Sequence, residues 1–278
     1  MHAKLTLSTQ TRNRQTILNN SFATPPLKLL ALPPQQHGIL HVVQMSSSPG
    51  LLAGDVIDTE ISLEEHTALS FYTQAFTRVL SMDKGEKAQQ RTLIRQAPHS
   101  KLCYLPHPLV LHKDSTLIQT TDIELSDGCT LLYGEIIAAG RILNDERFAF
   151  AYLSSHLNIR HNGAEVVTDN IQWQPQKYAL DVIGQMEHYT HQLNLFYVDT
   201  GLASSEIRLM VDQLYEDLST QFTDNGKGVL WGITQANHHA LCLRALSDNA
   251  QALQTLMQEA VAKLYTEQVS PLTAAFFR

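Results

Sequence analysis

The chain has 278 residues, a formal net charge of −7 at pH 7 and a pI near 6.0. This length can bury a large core, either as one extended domain or as a body with a small appendage. The acidic balance gives no electrostatic footprint for nucleic acid, so we expect no nucleic-acid partner.

The location of the protein is predicted from its start and its cysteines. The first residues alternate between apolar and polar types, as in a strand, and lack the continuous apolar stretch of a signal peptide. No segment approaches the roughly 18 consecutive apolar residues of a membrane helix. The three cysteines, Cys103, Cys129 and Cys242, are widely spaced and odd in number, which is typical of a reducing compartment. We therefore expect a cytoplasmic protein without membrane contact.

Strand-like patterning fills most of the first two thirds of the chain. These segments are rich in β-branched or alternating residues and are bounded by glycine, proline, asparagine or aspartate. The predicted strands are residues 3–9, 38–45, 55–63, 68–74, 88–96, 116–125, 130–138 and 147–161. Asn162-Gly163 predicts a hairpin turn after the last of them, because both turn positions tolerate a positive φ.

A short sequence pattern recurs in three places along this part of the chain. Each has a strand, a polar turn and a second strand with the pattern Leu-x-aromatic. The three copies are Leu69-Ser70-Phe71, Leu102-Cys103-Tyr104 and Leu131-Leu132-Tyr133. A recurrence after about 30 residues predicts stacked β units that bury their apolar faces against one another, in a mainly β, solenoid-like fold. The alternative is three hairpins of similar length that resemble one another by chance.

Each repeat continues into polar residues at nearly equivalent places. These polar or otherwise unusual residues are Thr73 and Gln74 in the first, Pro106 and His107 in the second and Glu135 in the third. Because strand residues two apart share a face, repeats stacked in register would place these side chains along one track.

After about residue 200 the apolar period changes from that of strands to that of helices. The expected helix caps are Ser204 and Asp248, and the expected strand pair between the helices is 229–235 with 239–246. We predict two helices on a small sheet. This helix-strand-strand-helix part, 201–278, should dock on a β-solenoid-like body, 1–200, within one integrated domain.

Two local motifs each contain a carboxylate whose role, structural or functional, the sequence does not decide. Residues 48–55 form a tight turn with two glycines, and Asp55 at its end could brace the loop or face a cavity. Glu135 lies in an apolar run that ends at Gly140-Arg141. Because a lone buried carboxylate costs several kcal/mol, Glu135 should meet Arg141, another cation or solvent in an internal cavity.

The sequence contains none of the usual catalytic or tight metal-binding motifs. It has no phosphate loop, dinucleotide fingerprint, hydrolase elbow, His-Glu-x-x-His helix or Cys-x-x-Cys pair. The thirteen histidines form no spacing that matches a closed metal site. We predict that the chain is not an enzyme and holds no tightly bound cofactor, while transient metal contact stays open.

Five ordered motifs between residues 20 and 150 resemble those of one family. They are the turn Ser48 to Asp55, Thr73-Gln74-Ala75 followed by Thr77-Arg78-Val79, Pro106-His107-Pro108, Glu135 with Gly140-Arg141, and Glu146-Arg147-Phe148. The set resembles the urease accessory proteins called UreD, or UreH in some bacteria, and residues 22–28 are similar to the Helicobacter-type members.

The resemblance implies a scaffold rather than a catalyst. Members of the family have a solenoid-like β body with two helices, bind a UreF-type partner and, through it, recruit a UreG-type GTPase. The assembly docks on apo-urease and passes nickel to its active site, and an internal tunnel is thought to conduct the ion. A homodimer within the complex is compatible with this picture.

The resemblance also assigns residues. The transient nickel path would use Asp55, Gln74, His107 and Glu135, which are hard or borderline ligands that hold an ion weakly and release it. The positions expected to bind partners or shape the motifs are Gly50, Gly54, Arg78, Arg141 and Glu146. Arg78 could anchor a partner or be an exposed surface charge.

Two other classes of function stay open. A carbohydrate-active β-solenoid enzyme would need paired carboxylates about 5–10 Å apart in an aromatic groove, and aromatic residues make up only 7% of the chain. A free-standing nickel store or sensor would need a dense cluster of histidine and cysteine.

Overall fold

The computed structural model describes residues 1–32, 38–222 and 228–265. The strands are β1 (His2–Arg12), β2 (Gln15–Ala23), β3 (Leu27–Ala31), β4 (Leu40–Ser46), β5 (Val56–Leu63), β6 (Ala68–Gln74), β7 (Thr77–Val79), β8 (Ala88–Gln96), β9 (Lys101–Leu105), β10 (Leu109–Leu111), β11 (Thr116–Leu125), β12 (Thr130–Ala138), β13 (Tyr152–His161), β14 (Ala164–Trp173), β15 (His191–Asp199), β16 (Val229–Asn237) and β17 (Ala240–Ser247). The helices are α1 (Ser204–Gln221) and α2 (Ala250–Leu264). Within these ranges neither helix has the length and apolar character needed to cross a bilayer.

The strands form two sheets that face each other. Sheet A has seven strands in the order β14-β13-β11-β8-β5-β1-β2. Sheet B follows the order β16-β17-β15-β12-β9-β6-β4-β3, with β7 and β10 beside it. From β4 to β13 the chain alternates between the sheets and pairs in parallel with the preceding turn. This is a β-solenoid of about four turns, which confirms the predicted fold class.

The three repeats stack in register. Leu69 pairs with Leu102 in the next turn, and Leu102 pairs with Leu131 in the one after. Two positions further along, the aromatic residues pair in the same way, as Phe71, Tyr104 and Tyr133. Their rings meet edge to face, with centroids 5.2 and 5.7 Å apart. The recurrence therefore reflects stacked solenoid turns, and the alternative of unrelated hairpins is wrong.

The two helices cover the outer face of sheet B. Their buried apolar side chains pack with those of the sheet in one core, and a second core fills the space between the sheets. On α1 the buried side chains are Ile207, Val211, Leu214 and Leu218. The molecule thus has three layers, with β15, β16 and β17 extending sheet B beneath the helices.

Both predicted caps were one residue from the observed ones. Ala203 precedes α1, because the Glu206 carboxylate accepts a hydrogen bond from the Ala203 backbone N–H at 2.7 Å and starts the helix there. At α2 the cap is Asn249, whose Oδ1 accepts from the N–H groups of Gln251 and Ala252.

The sequence misplaced the start of one strand and missed several others. The predicted strand 147–161 begins only at Tyr152, since Phe148 has a φ of +53° and Arg147 donates to the carbonyl oxygens of Glu187 and Tyr189. Strands β2, β3, β7, β10 and β15 were not predicted. The Asn162-Gly163 hairpin is confirmed, with φ values of +50° and +81°.

The two ends of the solenoid differ in the length of their connections. At one end the turns between sheets span only residues 64–67, 97–100 and 126–129. At the other, which we call the long-loop end, the connections are residues 47–55, 75–87, 106–115 and 139–151, with β7 and β10 inside two of them. The sequence motifs therefore meet at or beside this end, although they are far apart along the chain.

Candidate functional site

A polar cavity, here called the chamber, lies between the sheets toward the long-loop end. Sheet B and its loops contribute Thr73, His107 and Glu135 to its lining, and sheet A contributes Gln90 and Gln119. Its volume of about 60 Å³ gives room for roughly four water molecules. Of the predicted track, Thr73, His107 and Glu135 therefore line one internal space, whereas Gln74 does not.

A second cavity, here called the vestibule, lies beside the chamber. Its volume is about 180 Å³, and exposed Phe76 and Arg78 form part of its wall. The residues that line both cavities are Gln44, Ile57, Thr73, Thr77 and Gln90. The vestibule thus lies between the chamber and the exposed residues of the long-loop end.

Glu135 is the carboxylate of the chamber. It lies on β12 opposite Asn194 and is only 8% exposed. Gln119 Nε2 donates to Glu135 Oε2 at 3.0 Å and to Ser155 Oγ at 3.1 Å, which links the two sheets. Burial raises the pKa of Glu135 to about 7, although hydrogen bonds, first that from Gln119, counter the rise. This carboxyl group therefore titrates near neutral pH in the folded chain.

The structure resolves the sequence alternatives for Glu135. Arg141 does not reach it, since the guanidinium pairs with Glu146 instead. The contact between Glu135 and Arg141, one of the three alternatives, is therefore wrong. The internal cavity was the correct alternative.

His107 is the imidazole of the chamber. Its backbone N–H donates to Thr73 Oγ1 at 2.7 Å, which ties two consecutive solenoid turns together. Its ring lies edge-on to Phe76, with centroids 6.0 Å apart. The chamber thus combines one imidazole and one carboxylate with hydroxyl and amide groups.

Gln74 and Asp55 lie outside the chamber. Gln74 is exposed and lines the vestibule. Asp55 is 4% exposed, lines neither cavity, and binds the Met1 ammonium at 2.9 Å and the Leu52 N–H at 2.8 Å. The Asp55 carboxylate therefore braces the turn. That Asp55, Gln74, His107 and Glu135 act as nickel ligands stays a prediction.

The glycine turn is built against β7. A Cβ on Gly50 would lie 2.7 Å from the carbonyl oxygen of Arg78, which also accepts the Leu51 N–H at 2.8 Å. Gly54 has a φ of +75°, which favours glycine. These contacts fix the backbone of Arg78, while its side chain is exposed at the vestibule.

Arg141 and Glu146 close the connection 139–151 on itself. Arg141 Nε donates to Glu146 Oε2 at 2.8 Å, and a second guanidinium nitrogen donates to Oε1. Glu146 Oε2 also accepts the Lys113 N–H at 3.2 Å, which joins this loop to its neighbour. The Arg141 guanidinium lowers the pKa of Glu146 below its usual range.

We expect Glu146→Gln to loosen the long-loop end. The charge of the bidentate pair is lost while the side-chain volume is kept, so Tm at pH 7 should fall by roughly 1–2 °C. The control is Asp212→Asn, which removes the exposed pair with Arg208 at 3.6 Å and should have a smaller effect. Equal shifts in calorimetry would contradict a special role for the Arg141 pair.

Sequence reasoning missed the half of the chamber that sheet A supplies. Gln90, Gln119 and Ser155 are paired in register across β8, β11 and β13. The sequence did contain an indication of this half. Gln119 lies on the same face of its strand as buried Leu117 and Ile123, because strand residues two apart share a face. A polar residue in the inward phase of a buried strand indicates a polar interior.

The chamber is not a closed metal centre. Among residues 1–32, 38–222 and 228–265, no group of three or more histidine, cysteine, aspartate or glutamate side chains is arranged to hold a metal ion. Fold and site together define a β-solenoid protein with an internal polar chamber.

Comparison with known proteins gives the family. The sequence model of the family described as UreD urease accessory protein matches residues 1–274. A urease accessory protein UreD of Actinobacillus pleuropneumoniae serotype 5b is 48% identical over 263 residues, covering 93% of this chain and 95% of the relative. One from Haemophilus influenzae strain 86-028NP is 45% identical over 268 residues, covering 93% and 97%. The chain belongs to the UreD urease accessory protein family. These relatives are named as accessory proteins, in agreement with the prediction that the chain is not an enzyme.

Proposed function

We propose that this chain is a cytoplasmic, non-catalytic scaffold of urease maturation. It joins a UreF-type protein and a UreG-type GTPase to apo-urease and helps to deliver nickel to the urease active site. The observation that carries the proposal is the polar chamber of Glu135 and His107 inside a chain of the UreD family.

The chemistry of the chamber suits passage of a divalent cation better than storage. Nickel is a borderline ion that accepts imidazole nitrogen and carboxylate oxygen. The lining offers one of each, so the ion is held weakly and can leave. Because the pKa of Glu135 is about 7, entry of the cation at neutral pH displaces a proton from this carboxyl group. The vestibule, with Gln74 and Arg78 in its wall, provides the approach.

The scaffold role is tested by assembly. The tagged full chain is mixed with purified UreF-type protein, UreG-type GTPase and apo-urease, singly and together, and mass is measured by light scattering after size exclusion. We expect a stable complex with the UreF-type protein that then retains the GTPase and apo-urease. Elution of the chain alone from every mixture would overturn the proposal.

The carbohydrate-active alternative gains no support from the site. Glycoside hydrolysis needs two carboxylates flanking the bond, and the lining of the chamber contains one. A volume of about 60 Å³ is also far below that of ordinary small-molecule pockets.

A further inference from the structure

The β16 strand leaves one edge of sheet B open. In the described part of the chain β16 pairs with β17 alone and ends the sheet. In an antiparallel pair every second residue points its N–H and C=O away from the partner strand. Such an edge is a template for another strand unless charge, proline or a bulge blocks it. The part of β16 that pairs with β17 in continuous register, residues 229–235, contains no charge and no proline. The register shift lies beyond it, between Gln235 and Asn237.

A groove of about 910 Å³ runs along this open edge. Six consecutive residues, 233–238, line it. The first three, residues 233–235, belong to the regular part of β16. Because side chains of a strand alternate between faces, three in succession border one groove along the backbone edge. The opposite wall is one face of α1, formed by Arg208, Asp212, Tyr215 and Glu216 among others.

The groove is held open by bonds at both ends of the helix. Gln235 Nε2 donates to the carbonyl oxygen and to Oγ of Ser204, at 3.2 and 2.9 Å. Trp231 Nε1 donates to the Phe222 carbonyl oxygen at 3.0 Å, and the Trp231 ring lies 5.5 Å from that of Tyr215. A pre-formed groove spares an arriving segment the cost of ordering the site.

We propose that this groove binds an extended segment of a partner protein, which adds a strand to sheet B and places a lysine or arginine beside Glu216. The main-chain groups of the edge identify an extended peptide as the occupant. The charges of the groove indicate which side chain the peptide carries there. Arg208 pairs with Asp212 at 3.6 Å, while Glu216 has no ion-pair partner within the described ranges. The groove thus retains one uncompensated acid.

A second copy of this chain fits the groove less well. Pairing of β16 with its own copy would bring a strand without charged residues, so Glu216 would gain no cation. Charge complementarity therefore favours a different polypeptide.

Hydrogen exchange of the full chain tests the assignment. Exchange is followed by mass spectrometry for the chain alone and after mixing with the UreF-type protein, the UreG-type GTPase or apo-urease, probes whose choice rests on the proposed function. We expect the amides within residues 233–235 that point away from β17 to exchange at least ten-fold slower in one mixture. The edge strand β2 of sheet A serves as the control and should be unchanged.

Two variants make the test specific. Thr234→Lys places a charge on the edge, and Glu216→Lys reverses the exposed acid on the helix; each should weaken binding of that partner about ten-fold or more. The matched control is Thr168→Lys on β14, the exposed edge strand of sheet A, which should bind normally. Circular dichroism checks that all three variants fold, and Glu216→Lys alters no buried side chain.

The outcomes separate this inference from the proposed function. Unchanged exchange in β16 in all three mixtures overturns the groove assignment, and so does protection that rises with the concentration of the chain alone, which would show self-pairing. If either result accompanies urease activation that depends on the chain, the maturation role stands without the added strand.

Discussion

Replacing Glu135 by glutamine should stabilise the folded chain at pH 8 and lower its capacity to activate urease. Burial raises the pKa of Glu135 from 4.5 to about 7, so the folded state holds a proton that the unfolded state releases between these values. Its stability therefore falls as pH rises from about 4.5 to 7. A rise of this size costs about 3 kcal/mol once both states are ionised, and the neutral amide avoids that cost.

Urea unfolding at pH 5 and pH 8 measures the effect. Glu135→Gln should be more stable than the wild type by up to about 3 kcal/mol at pH 8, and the difference should shrink toward pH 5. Glu65→Gln, in an exposed turn, is the control and should show little change at either pH. Cells that carry the urease genes should show at least ten-fold lower urease activity with Glu135→Gln than with Glu65→Gln. Equal stability at both pH values would contradict the burial account, and full activation would remove Glu135 from the nickel path.

Replacing Gly140 by alanine should distort the long-loop end. Gly140 has a φ of +147°, and an added Cβ would lie 1.8 Å from the Glu146 carbonyl oxygen. Since that neighbour is backbone, the loop itself must move, and the Arg141 pair with Glu146 moves with it. We expect a loss of roughly 3 kcal/mol or more in unfolding free energy.

Gly163→Ala is the matched control for this substitution. Gly163 also has a positive φ, +81°, but nothing lies within 4 Å of the position of its Cβ. It should therefore lose only about 1–2 kcal/mol, from backbone preference alone. Thermal and urea unfolding of the two variants compare the costs. Equal losses would show that the contact with Glu146 does not determine the effect.

The solenoid was predictable because its signals are local. The recurrence of Leu-x-aromatic fixes both period and phase, and stacking in register follows once each unit buries the same face. The same phase placed Glu135 inward, toward the chamber. Of the missed strands, β2, β3 and β15 lie outside the repeats, so no recurrence pointed to them. The other two, β7 and β10, are only three residues long and lie inside connections between the repeated strands.

The rest of the site depends on contacts between distant residues. Gln119 meets Glu135 only because the two sheets face each other, and a strand pattern gives no distance across sheets. Arg141 pairs with Glu146 inside the connection 139–151, a contact that strand patterns do not give. The groove beside β16 requires the position of α1, which tertiary packing sets.

The most direct test of the account is the nickel content of urease purified from cells that express the urease genes and the other accessory proteins, with and without this chain, under the same nickel supply. The account predicts nickel-poor, inactive urease without the chain and restored nickel and activity when the wild-type chain is supplied. Fully loaded and active urease in its absence would contradict the maturation role.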